Sequence, residues 1–491
     1  MQPGWFEQDK RRVWLGALVC VVPFLGFWIA GLFDLDEGFY GAVVSDMIRR
    51  SDWITPTYNG VPWFEKPVLL YWAAIPSVLA FGEAVGPRLP SILSTLGLGY
   101  AIFRFLRTKF GVDQAVLSAV AYCGSLLAVG LGRMMLTDAI LNLCLSLCFL
   151  LFWESITGNK RAMVWSGLCL GLAILAKGPV AGLFFLIIAG FAYWRLRELR
   201  PGFKGGWFSA IVVCLATVAL WYVPCWMENR QVFIDKFLIE QNIGRFSGGD
   251  KAHRVPLWAH PIYYPLLLAL AALPWLPAAI KGRLFRWPAE FSGKSEDLFR
   301  RFLWIWLLSV LIFFSVSGSK LPHYILPALP PLVMLIVDRL MTLNRPIGKL
   351  FTQMAVWSVG VCVVANVAFI AMDKQANGTA LHNACRSLRS EKQPIVIYRF
   401  GRMVSDTSIK LTLNETSRPS TLFYLGHPAL MTSDINEAVK AHPEGFVILT
   451  KNGSLTEDER AKLSGFKVQP GPMLPDDSNQ AGYVTFRAEP N

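Results

Sequence analysis

The chain has 491 residues, of which 54% are hydrophobic and only 16% are charged, and its formal net charge is +13. A soluble core does not need so much apolar surface, whereas apolar segments separated by short charged loops are typical of a bundle of membrane-spanning helices. The Lys and Arg residues lie mainly in those loops rather than along one amphipathic face, so we predict no nucleic-acid partner. The Cys residues lie mostly inside apolar runs and form neither a disulfide framework nor a metal-type CxxC motif.

The first apolar segment, Val13 to Phe33, follows three basic residues. It is too long for a signal peptide and no small-residue cleavage site follows it, so we interpret it as a retained span whose basic flank stays in the cytoplasm. The loop 34–88 then lies outside. Within that loop, Val68 to Phe81 is apolar, but at about 1.5 Å per residue it is too short to cross, and we expect a helix at the membrane interface.

Later apolar segments bring the predicted total to about eleven spans, within a range of about eleven to thirteen. If Val68 to Phe81 does not cross, every cytoplasmic loop contains Lys or Arg, whereas a crossing would turn these basic loops outward, against the usual orientation. The predicted segments are 88–106, 113–132, 136–153, 162–176, 178–194, 207–227, 258–280, 302–318, 324–341 and 351–371.

From about Asp373 the composition becomes that of a soluble domain. Short runs rich in β-branched or aromatic residues predict strands, and the runs between them predict helices, one of which begins with a capping box of Thr456 and Glu459. This alternation indicates a small α/β domain, which an odd number of spans places outside the membrane. The predicted strands are Pro394–Phe400, Thr421–Leu425, Phe446–Lys451 and Tyr483–Ala488, and the predicted helices are Ala380–Arg389, Ile435–Ala441 and Glu457–Leu463.

The predicted fold class is therefore mainly α, a polytopic membrane helical bundle followed by a small extracytoplasmic α/β domain. We predict a transmembrane domain at 1–372, whose outer loop 34–88 carries the active site, and a soluble domain at 373–491.

Acidic residues crowd the start of the outer loop. Asp36 and Glu37 form an adjacent pair beside the first span, where a carboxylate can act as a base or stabilise positive charge at a sugar carbon. The alternative is a pair of solvated loop acids. Asp138 lies where a later span begins on the same predicted side, and there Thr137 or Asp138 would also serve simply as a helix cap.

Basic residues on the predicted outer side suggest phosphate binding. Lys66, Lys177 and Lys320 each lie at a membrane edge shortly before a Pro, where they either bind phosphate or extend toward lipid headgroups. Arg245 is a candidate for bidentate binding of phosphate or carboxylate. The isolated His residues are interpreted as structural, and no Walker A, GxSxG or GxGxxG motif occurs in its proper context. We predict no cofactor and assign no metal ligand, and the sequence leaves a divalent metal ion open.

Seven blocks in chain order resemble one family, the membrane-embedded GT-C glycosyltransferases of the aminoarabinose transferase (ArnT) and protein O-mannosyltransferase group. The resemblance covers most of the first 340 residues, whereas the C-terminal domain matches only in kind. The blocks are DEGFYG at 36–41, SDWITPTYNGVPWFEKPVLLYW at 51–72, RLPS at 88–91, LTD at 136–138, AKGPVA at 176–181, QNIGRF at 241–246 and SKLPHYILPALPPL at 319–332.

This resemblance implies transfer of a sugar from a polyprenyl-phosphate donor to a lipid A, envelope glycan or protein acceptor on the outer face of a bacterial inner membrane, with inversion at the sugar carbon. It implies Asp36 as the catalytic aspartate and Asp138 as the second acidic position, with Glu37 beside Asp36. Membrane lipids are the remaining predicted partners. The implied substrate- and phosphate-binding residues are Tyr40, Glu65, Lys66, Lys177, Arg245 and Lys320.

The chain departs from the family pattern at two positions. Phe39 stands where the family has Arg, so a phosphate-binding contact is either lost or supplied by Arg245 or Arg49. Gln241 stands near a position where many members have His. The soluble domain is also smaller than that of typical aminoarabinose transferases, so the sequence does not specify the acceptor.

Two other function classes compete with this interpretation. A transporter of amphipathic lipid or sugar would place charges near the bilayer midplane and repeat its halves, but here the charges gather at one face and no repeat is found. A structural or sensory membrane protein would leave the acidic and basic outer loops unexplained.

Overall fold

A computed structural model of the chain describes residues 3–34, 36–244, 256–281, 284, 295–343, 346–400 and 418–491. Most of these residues are helical. The helices are α1 (Pro3–Val21), α2 (Asp36–Arg50), α3 (Leu69–Val85), α4 (Leu89–Phe110), α5 (Val112–Cys123), α6 (Leu126–Gly132), α7 (Thr137–Ile156), α8 (Ala162–Lys177), α9 (Val180–Arg195), α10 (Trp207–Phe233), α11 (His260–Ala271), α12 (Leu276–Lys281), α13 (Ser295–Val316), α14 (Leu329–Met341), α15 (Ile347–Ala376), α16 (Gly378–Ser387), α17 (Ser420–Leu425), α18 (Ile435–Ala441), α19 (Glu457–Ala461) and α20 (Asp476–Gln480).

Shorter regular segments connect and extend these helices. A π-helical segment, Ile234–Gly244, follows α10, and 3-10 segments lie at Val22–Phe24, Arg197–Phe203, Leu257–Ala259 and Pro322–Ala328. The strands are β1 (Thr57–Tyr58), β2 (Val61–Pro62), β3 (Ile395–Tyr398), β4 (Leu430–Thr432), β5 (Phe446–Lys451), β6 (Phe466–Pro470) and β7 (Tyr483–Pro490).

The apolar helices confirm a polytopic membrane fold. In the described part of the chain, six helical segments are long and apolar enough to cross a membrane, or seven if the pair α5 and α6, bent by 58°, is one span. The helices α3, α8 and α9 are apolar but shorter. The larger number of spans expected from the sequence stays a prediction. The six segments are Leu89–Phe110, Thr137–Ile156, Trp207–Gln241, Ser295–Val316, Pro322–Met341 and Ile347–Ala376.

The predicted first span, Val13 to Phe33, is wrong in its second half. The helix α1 ends at Val21, and a 3-10 turn containing Pro23 follows. Because Pro has no backbone N–H and restricts its neighbour, the apolar run continues while the α-helix does not. The apolar segment inside the outer loop does form a helix, α3, close to its predicted bounds.

The chain packs as two compact units. The first consists of Met1–Phe27, Phe64–Leu70 and Arg88–Asn366, and the second of Trp28–Trp63, Tyr71–Pro87 and Val367–Asn491. These units differ from the predicted domains, since most of the outer loop packs with the C-terminal residues.

The first unit is a helical bundle with α7 in its interior. This helix packs against α4 and α8, and α8 packs in turn against α10. Large aromatic side chains fill the interior beside α7, where Trp153 and Trp306 are fully buried and Phe149 packs edge-on against Trp306 with 4.8 Å between ring centroids. A polar side chain that α7 carries into this interior therefore needs a polar partner within the bundle.

The second unit contains a five-stranded mixed sheet in the order β4-β3-β5-β7-β6. The strands β4, β3 and β5 run parallel to one another, while β7 pairs antiparallel with both β5 and β6. This sheet, the helices α16 to α20 and their connections, hereafter the C-terminal domain, confirm a small α/β domain. Helix α18 has its predicted bounds, and α19 begins with the predicted capping box.

One predicted strand of this domain is wrong and two strands were missed. Residues predicted as the strand Thr421–Leu425 form the helix α17, whose six residues are all buried. Periodicity cannot separate a short buried helix from a short buried strand when every residue is covered. The strands β4 and β6, at the two sheet edges, were not predicted.

Candidate functional site

A buried ion pair in the first unit joins the start of α7 to the end of α8. Asp138 lies in the first turn of α7 and is only 3% exposed, and its Oδ1 accepts a hydrogen bond from Lys177 Nζ. Lys177 is the last residue of α8, which stops at Gly178, where φ is 102°. A carboxylate at a helix N-terminus and an ammonium at a C-terminus both complement the helix dipoles.

The ion pair with Lys177 shows that the interpretation of Thr137 or Asp138 as a helix cap is wrong. The N-cap position of α7 is Leu136, which makes no side-chain cap hydrogen bond, and the hydroxyl of Thr137 is buried without a hydrogen-bond partner. The charge of Asp138 also interacts with Lys66 and with His323. Asp138 is therefore held by cations and does not cap the helix.

A cavity of about 420 Å³ lies beside this ion pair, entirely within residues of the first unit. This volume falls in the usual range of small-molecule sites. Its walls are mostly apolar, and four of its lining side chains are charged or carry an amide. The lining residues are Glu65, Lys66, Leu141, Lys177, Pro179, Val180, Leu183, Phe184, Phe237, Gln241, Phe313, Phe314, Ser317, Ser319, Tyr324 and Pro327.

Aromatic contacts position the polar side chains of this cavity. Phe64 packs edge-on against Phe233 at the end of α10, with 5.4 Å between ring centroids, and fixes the chain just before Glu65 and Lys66. The ammonium of Lys177 lies 4.8 Å from the centroid of the Tyr324 ring. A cation over an aromatic face is stabilised there without using its hydrogen-bond donors. An ammonium has three donors, of which Asp138 takes one.

Gln241 carries a further polar atom into the cavity wall. Its Oε1 is buried and has no hydrogen-bond partner among the residues that the structure describes. Such an acceptor costs free energy unless a bound group donates to it. It is therefore suited to contact a ligand hydroxyl or amine.

Lys320 has different surroundings from Lys177. It is 3% exposed, and its Nζ donates to the carbonyl oxygens of Phe314 at 2.8 Å, Ser315 at 3.0 Å and Ser317. These carbonyls lie at the C-terminal end of α13, so the ammonium caps that helix. Burial lowers the pKa of Lys320 below its usual value. A lysine held in this way does not extend toward lipid headgroups, so that alternative is wrong for Lys320.

The acidic block of the outer loop begins α2 in the second unit. Asp36 is exposed at the first position of the helix, whereas Glu37 is fully buried and accepts a hydrogen bond from the backbone N–H of Phe33 at 3.1 Å. Tyr40 is buried, with its ring 6.1 Å from that of Tyr71. The interpretation of the pair as two solvated acids is therefore wrong for Glu37, while Asp36 remains accessible.

Phe39 belongs to an aromatic cluster in the same unit. Its ring stacks on Trp63 with 5.0 Å between centroids and an interplanar angle of 10°, and it lies 5.0 Å from Tyr58. Arg49, one of the two proposed substitutes for the family Arg, pairs with Asp46. The other, Arg245, lies outside the described residues, as does the rest of the QNIGRF block after Gly244.

Known proteins similar in sequence are glycosyltransferases. The family model for dolichyl-phosphate-mannose-protein mannosyltransferases matches residues 65–223. An undecaprenyl phosphate-alpha-4-amino-4-deoxy-L-arabinose arabinosyl transferase of Shewanella sediminis is 29% identical over 67% of this chain and 60% of its own length. The enzyme of the same name from Yersinia pestis is 30% identical over 62% of this chain and 54% of its own length. The chain thus aligns with less than two thirds of either relative.

Solved structures extend the likeness in fold to the whole chain. The crystal structure of ArnT from Cupriavidus metallidurans bound to undecaprenyl phosphate matches with a TM-score of 0.74 and 18% identity, covering 99% of this chain and 98% of that one. This chain therefore has the ArnT-like GT-C fold. A more distant match in fold, with a TM-score of 0.52, is the oligosaccharyltransferase of Archaeoglobus fulgidus, which covers 91% of this chain and 70% of that one.

Within this ArnT-like chain, the structure brings part of the predicted site together. Glu65, Lys66 and Lys177 line one cavity, and Asp138 is paired with Lys177. The aromatic lining residues Phe237 and Tyr324 were missed, because apolar and aromatic residues are so frequent in the sequence that none of them stands out. In the described residues, no group of three or more His, Cys, Asp and Glu side chains could hold a metal ion.

Proposed function

We propose that this chain is an integral-membrane glycosyltransferase that moves a sugar from a polyprenyl-phosphate donor to an acceptor on the outer face of a bacterial inner membrane. The observation that carries the proposal is the cavity of the first unit, in which apolar walls surround two lysines. A polyprenyl phosphate has the matching chemistry, a long apolar chain and an anionic head. The ArnT of Cupriavidus metallidurans, whose fold is similar, was solved with undecaprenyl phosphate bound.

In the proposed reaction, an acceptor hydroxyl or phosphate oxygen attacks the anomeric carbon of the sugar. The new bond from oxygen to carbon forms as the bond from carbon to the phosphate oxygen breaks, which inverts that carbon. The carrier phosphate leaves with the electron pair and gains negative charge. Asp36, exposed at the start of α2, takes the proton of the acceptor or stabilises positive charge on the sugar ring.

Lys66 and Lys177 act on the leaving group. Two ammonium groups placed at the phosphate stabilise the charge that it gains as the sugar departs, and such stabilisation is most effective where water is excluded. Asp138 holds Lys177 in place and partly neutralises it. Gln241 accepts a hydrogen bond from a hydroxyl or amine of the donor sugar. Lipid A, another envelope glycan and a protein hydroxyl are the acceptors to be compared.

The proposal is tested with purified full-length protein in lipid vesicles, radiolabelled polyprenyl-phosphate sugars and membrane extract as the source of acceptors. Asp36→Asn is expected to reduce transfer by at least about 100-fold, the usual contribution of a catalytic acid or base. Absence of transfer from every donor, or full activity of the Asp36→Asn variant, would contradict the proposal.

A matched set of lysine variants tests the cavity. Lys66→Met and Lys177→Met are expected to weaken binding of undecaprenyl phosphate by about 10-fold or more, because each removes a charge-assisted contact. Lys349→Met, which removes an exposed lysine of α15, is the control and should bind as the wild type does. If all three variants bind undecaprenyl phosphate as tightly as the wild type does, the phosphate binds to another part of the chain.

The orientation in the membrane has its own test. A tag at Lys160 should react only with a reagent supplied from the cytoplasmic side, and a tag after Asn377 only with one supplied from outside. The reverse pattern would mean that α3 crosses the membrane and that the C-terminal domain faces the cytoplasm.

A further inference from the structure

The second unit holds the residue two positions before Asp36 in a dense polar contact with the C-terminal domain. Asp34 Oδ1 accepts hydrogen bonds from the backbone N–H of Ser420 at 3.1 Å and from the Ser420 hydroxyl at 2.7 Å. Its Oδ2 lies 3.5 Å from Arg418 Nη1, and the side chains of both residues are 10% exposed or less. Ser420 is the first residue of α17, so one carboxylate joins the outer loop to that helix.

Neighbouring contacts hold the chain just before Asp34 and the residues that bind Asp34. The backbone N–H of Leu32 donates to the hydroxyl of Tyr424 at 2.8 Å, and the ring of His382 makes a 3.2 Å hydrogen bond to the Ser420 hydroxyl. Arg418 also donates to the carbonyl oxygen of Ala376 at 2.7 Å. The partners of Asp34 are therefore held in place themselves.

The first turn of α2 packs closely on this contact. A Cβ atom at Gly38 would lie 2.7 Å from the backbone nitrogen of Ser420, nearer than real Cβ atoms approach. Any larger residue at this position would push the two helices apart. The backbone that carries Asp36 is thus fixed on both sides, by Asp34 before it and by Gly38 after it.

We propose that Asp34 is a positioning residue through which the C-terminal domain sets the start of α2, and with it the Asp36 carboxylate. This inference rests on the proposed role of Asp36. It also gives the C-terminal domain a function, which is to fix the geometry of the reaction that Asp36 serves.

The chemistry of the contact supports a specific role over general stability. Burial raises the pKa of Asp34 above its ordinary value even though Ser420 and Arg418 act in the opposite direction, so the charged form is costly where it lies. Apolar residues of similar size usually stabilise a fold as well as a buried ion pair does. A carboxylate with three directed contacts fixes orientation, which apolar packing does not.

A second carboxylate provides a matched control. Glu83, near the C-terminal end of α3, pairs with Arg386 at 3.1 Å and with Arg389. Arg386 lies in the last turn of α16, and Arg389 lies two residues after that helix ends. Glu83 and Asp34 thus each link the outer loop to arginine of the C-terminal domain, but only Asp34 lies within two residues of Asp36 in the chain.

The experiment compares Asp34→Ala, Asp34→Asn and Glu83→Ala in the full-length protein. Asp34→Ala is expected to lower kcat by about 10- to 100-fold with the KM for the lipid donor within about twofold of wild type, because small misplacements of a catalytic group have effects of this size. Asp34→Asn retains an acceptor for Ser420 and should recover most of the activity. Glu83→Ala should retain kcat within about twofold, even where it lowers the thermal unfolding midpoint as much as Asp34→Ala does. An unchanged kcat in Asp34→Ala, or an equal fall in Glu83→Ala, would overturn the inference.

Amide hydrogen exchange gives a measurement that does not depend on transfer. Exchange at residues 36–40 should become at least about 10-fold faster in Asp34→Ala and remain unchanged in Glu83→Ala. Equal exchange in the two variants would overturn the inference even if no donor is found. Full activity of Asp36→Asn, with faster exchange in Asp34→Ala, would instead reject the proposed role of Asp36 and leave the contact established.

Discussion

Two lysines of the first unit have the same sequence context and opposite surroundings. Lys177 and Lys320 each end or follow an apolar helix and precede a Pro by two residues. Lys177 pairs with the Asp138 carboxylate and lines the cavity, whereas Lys320 donates to three backbone carbonyls. The comparison shows that a lysine at a helix end is equally suited to complete the helix itself or to bind a partner from another helix.

The difference determines what each ammonium can do for a ligand. A side-chain carboxylate can move away or share its cation when a phosphate arrives, but backbone carbonyls at the end of a packed helix cannot. We therefore expect Lys177 to act on a bound phosphate and Lys320 to hold the chain between α13 and the following 3-10 segment.

The largest effect is expected from Lys177. Lys177→Met should reduce transfer by about 100-fold or more, through loss of phosphate stabilisation, and should destabilise the protein by about 3 kcal/mol, because Asp138 stays buried without the ammonium that neutralises it. Adding Asp138→Asn should restore the thermal unfolding midpoint without restoring transfer. Transfer assays and thermal unfolding in the same detergent separate the two effects, and recovery of both in the double variant would reduce Lys177 to a structural role.

A smaller effect, confined to stability, is expected from Lys320. Lys320→Met leaves the C-terminal carbonyls of α13 without their donor and should destabilise the protein by about 1–3 kcal/mol. Thermal unfolding measures this loss, while the KM for the lipid donor should stay within about twofold of wild type. A rise in this KM as large as that of Lys177→Met would remove the distinction between the two lysines.

The smallest effects concern pH, and they extend the comparison to two buried carboxylates of the second unit. Burial raises the pKa of Asp34, which faces Arg418, Cys385 and Tyr483. The folded protein then binds more protons than the unfolded chain above the ordinary value of 3.8, so this group makes stability fall as the pH rises from there through the raised pKa.

Glu459 acts with the opposite sign. Burial alone would raise its pKa, but hydrogen bonds from Tyr398 and Thr456 and the charge of Arg399 outweigh it, and the pKa lies below the ordinary 4.5. Its contribution to stability is therefore present above that value and is lost as the pH falls through the lowered pKa. The unfolding midpoint measured against pH should no longer show the fall with rising pH in Asp34→Asn. In Glu459→Gln it should no longer show the loss of stability with falling pH. If both groups change the midpoint in the same direction as the pH rises, the assignment is contradicted.

Much of the fold could be predicted from the sequence because local patterns specify it. The apolar segments correspond to the long helices, and the capping box of Thr456 and Glu459 correctly predicts where α19 begins. The prediction was wrong where a local pattern allows two structures, as in the buried run of α17 and in the apolar residues after Pro23. Short edge strands such as β4 carry too few residues for a recognisable period.

Four charged residues of the candidate site could be predicted from the sequence, but the partners that they contact could not. Sequence blocks indicated Glu65, Lys66, Asp138 and Lys177, since ionised groups beside apolar segments are costly unless they have a function. Nothing in the sequence indicated that Asp138 pairs with Lys177 or that Tyr324 lies against that lysine, because these contacts join residues far apart in the chain.

The sequence by itself determined that this is a polytopic membrane protein with a small α/β domain, because apolar length and periodicity are local properties. The GT-C kind was implied only by the resemblance of its sequence blocks to a known family. Only the tertiary structure decided which ions meet. Packing paired Lys177 with Asp138 and placed the Lys320 ammonium on the carbonyl oxygens at the end of the preceding helix, α13. It also joined Asp34 to Ser420 and Arg418. Ions removed from water require a partner at hydrogen-bond distance, and packing alone decides which partner is that close.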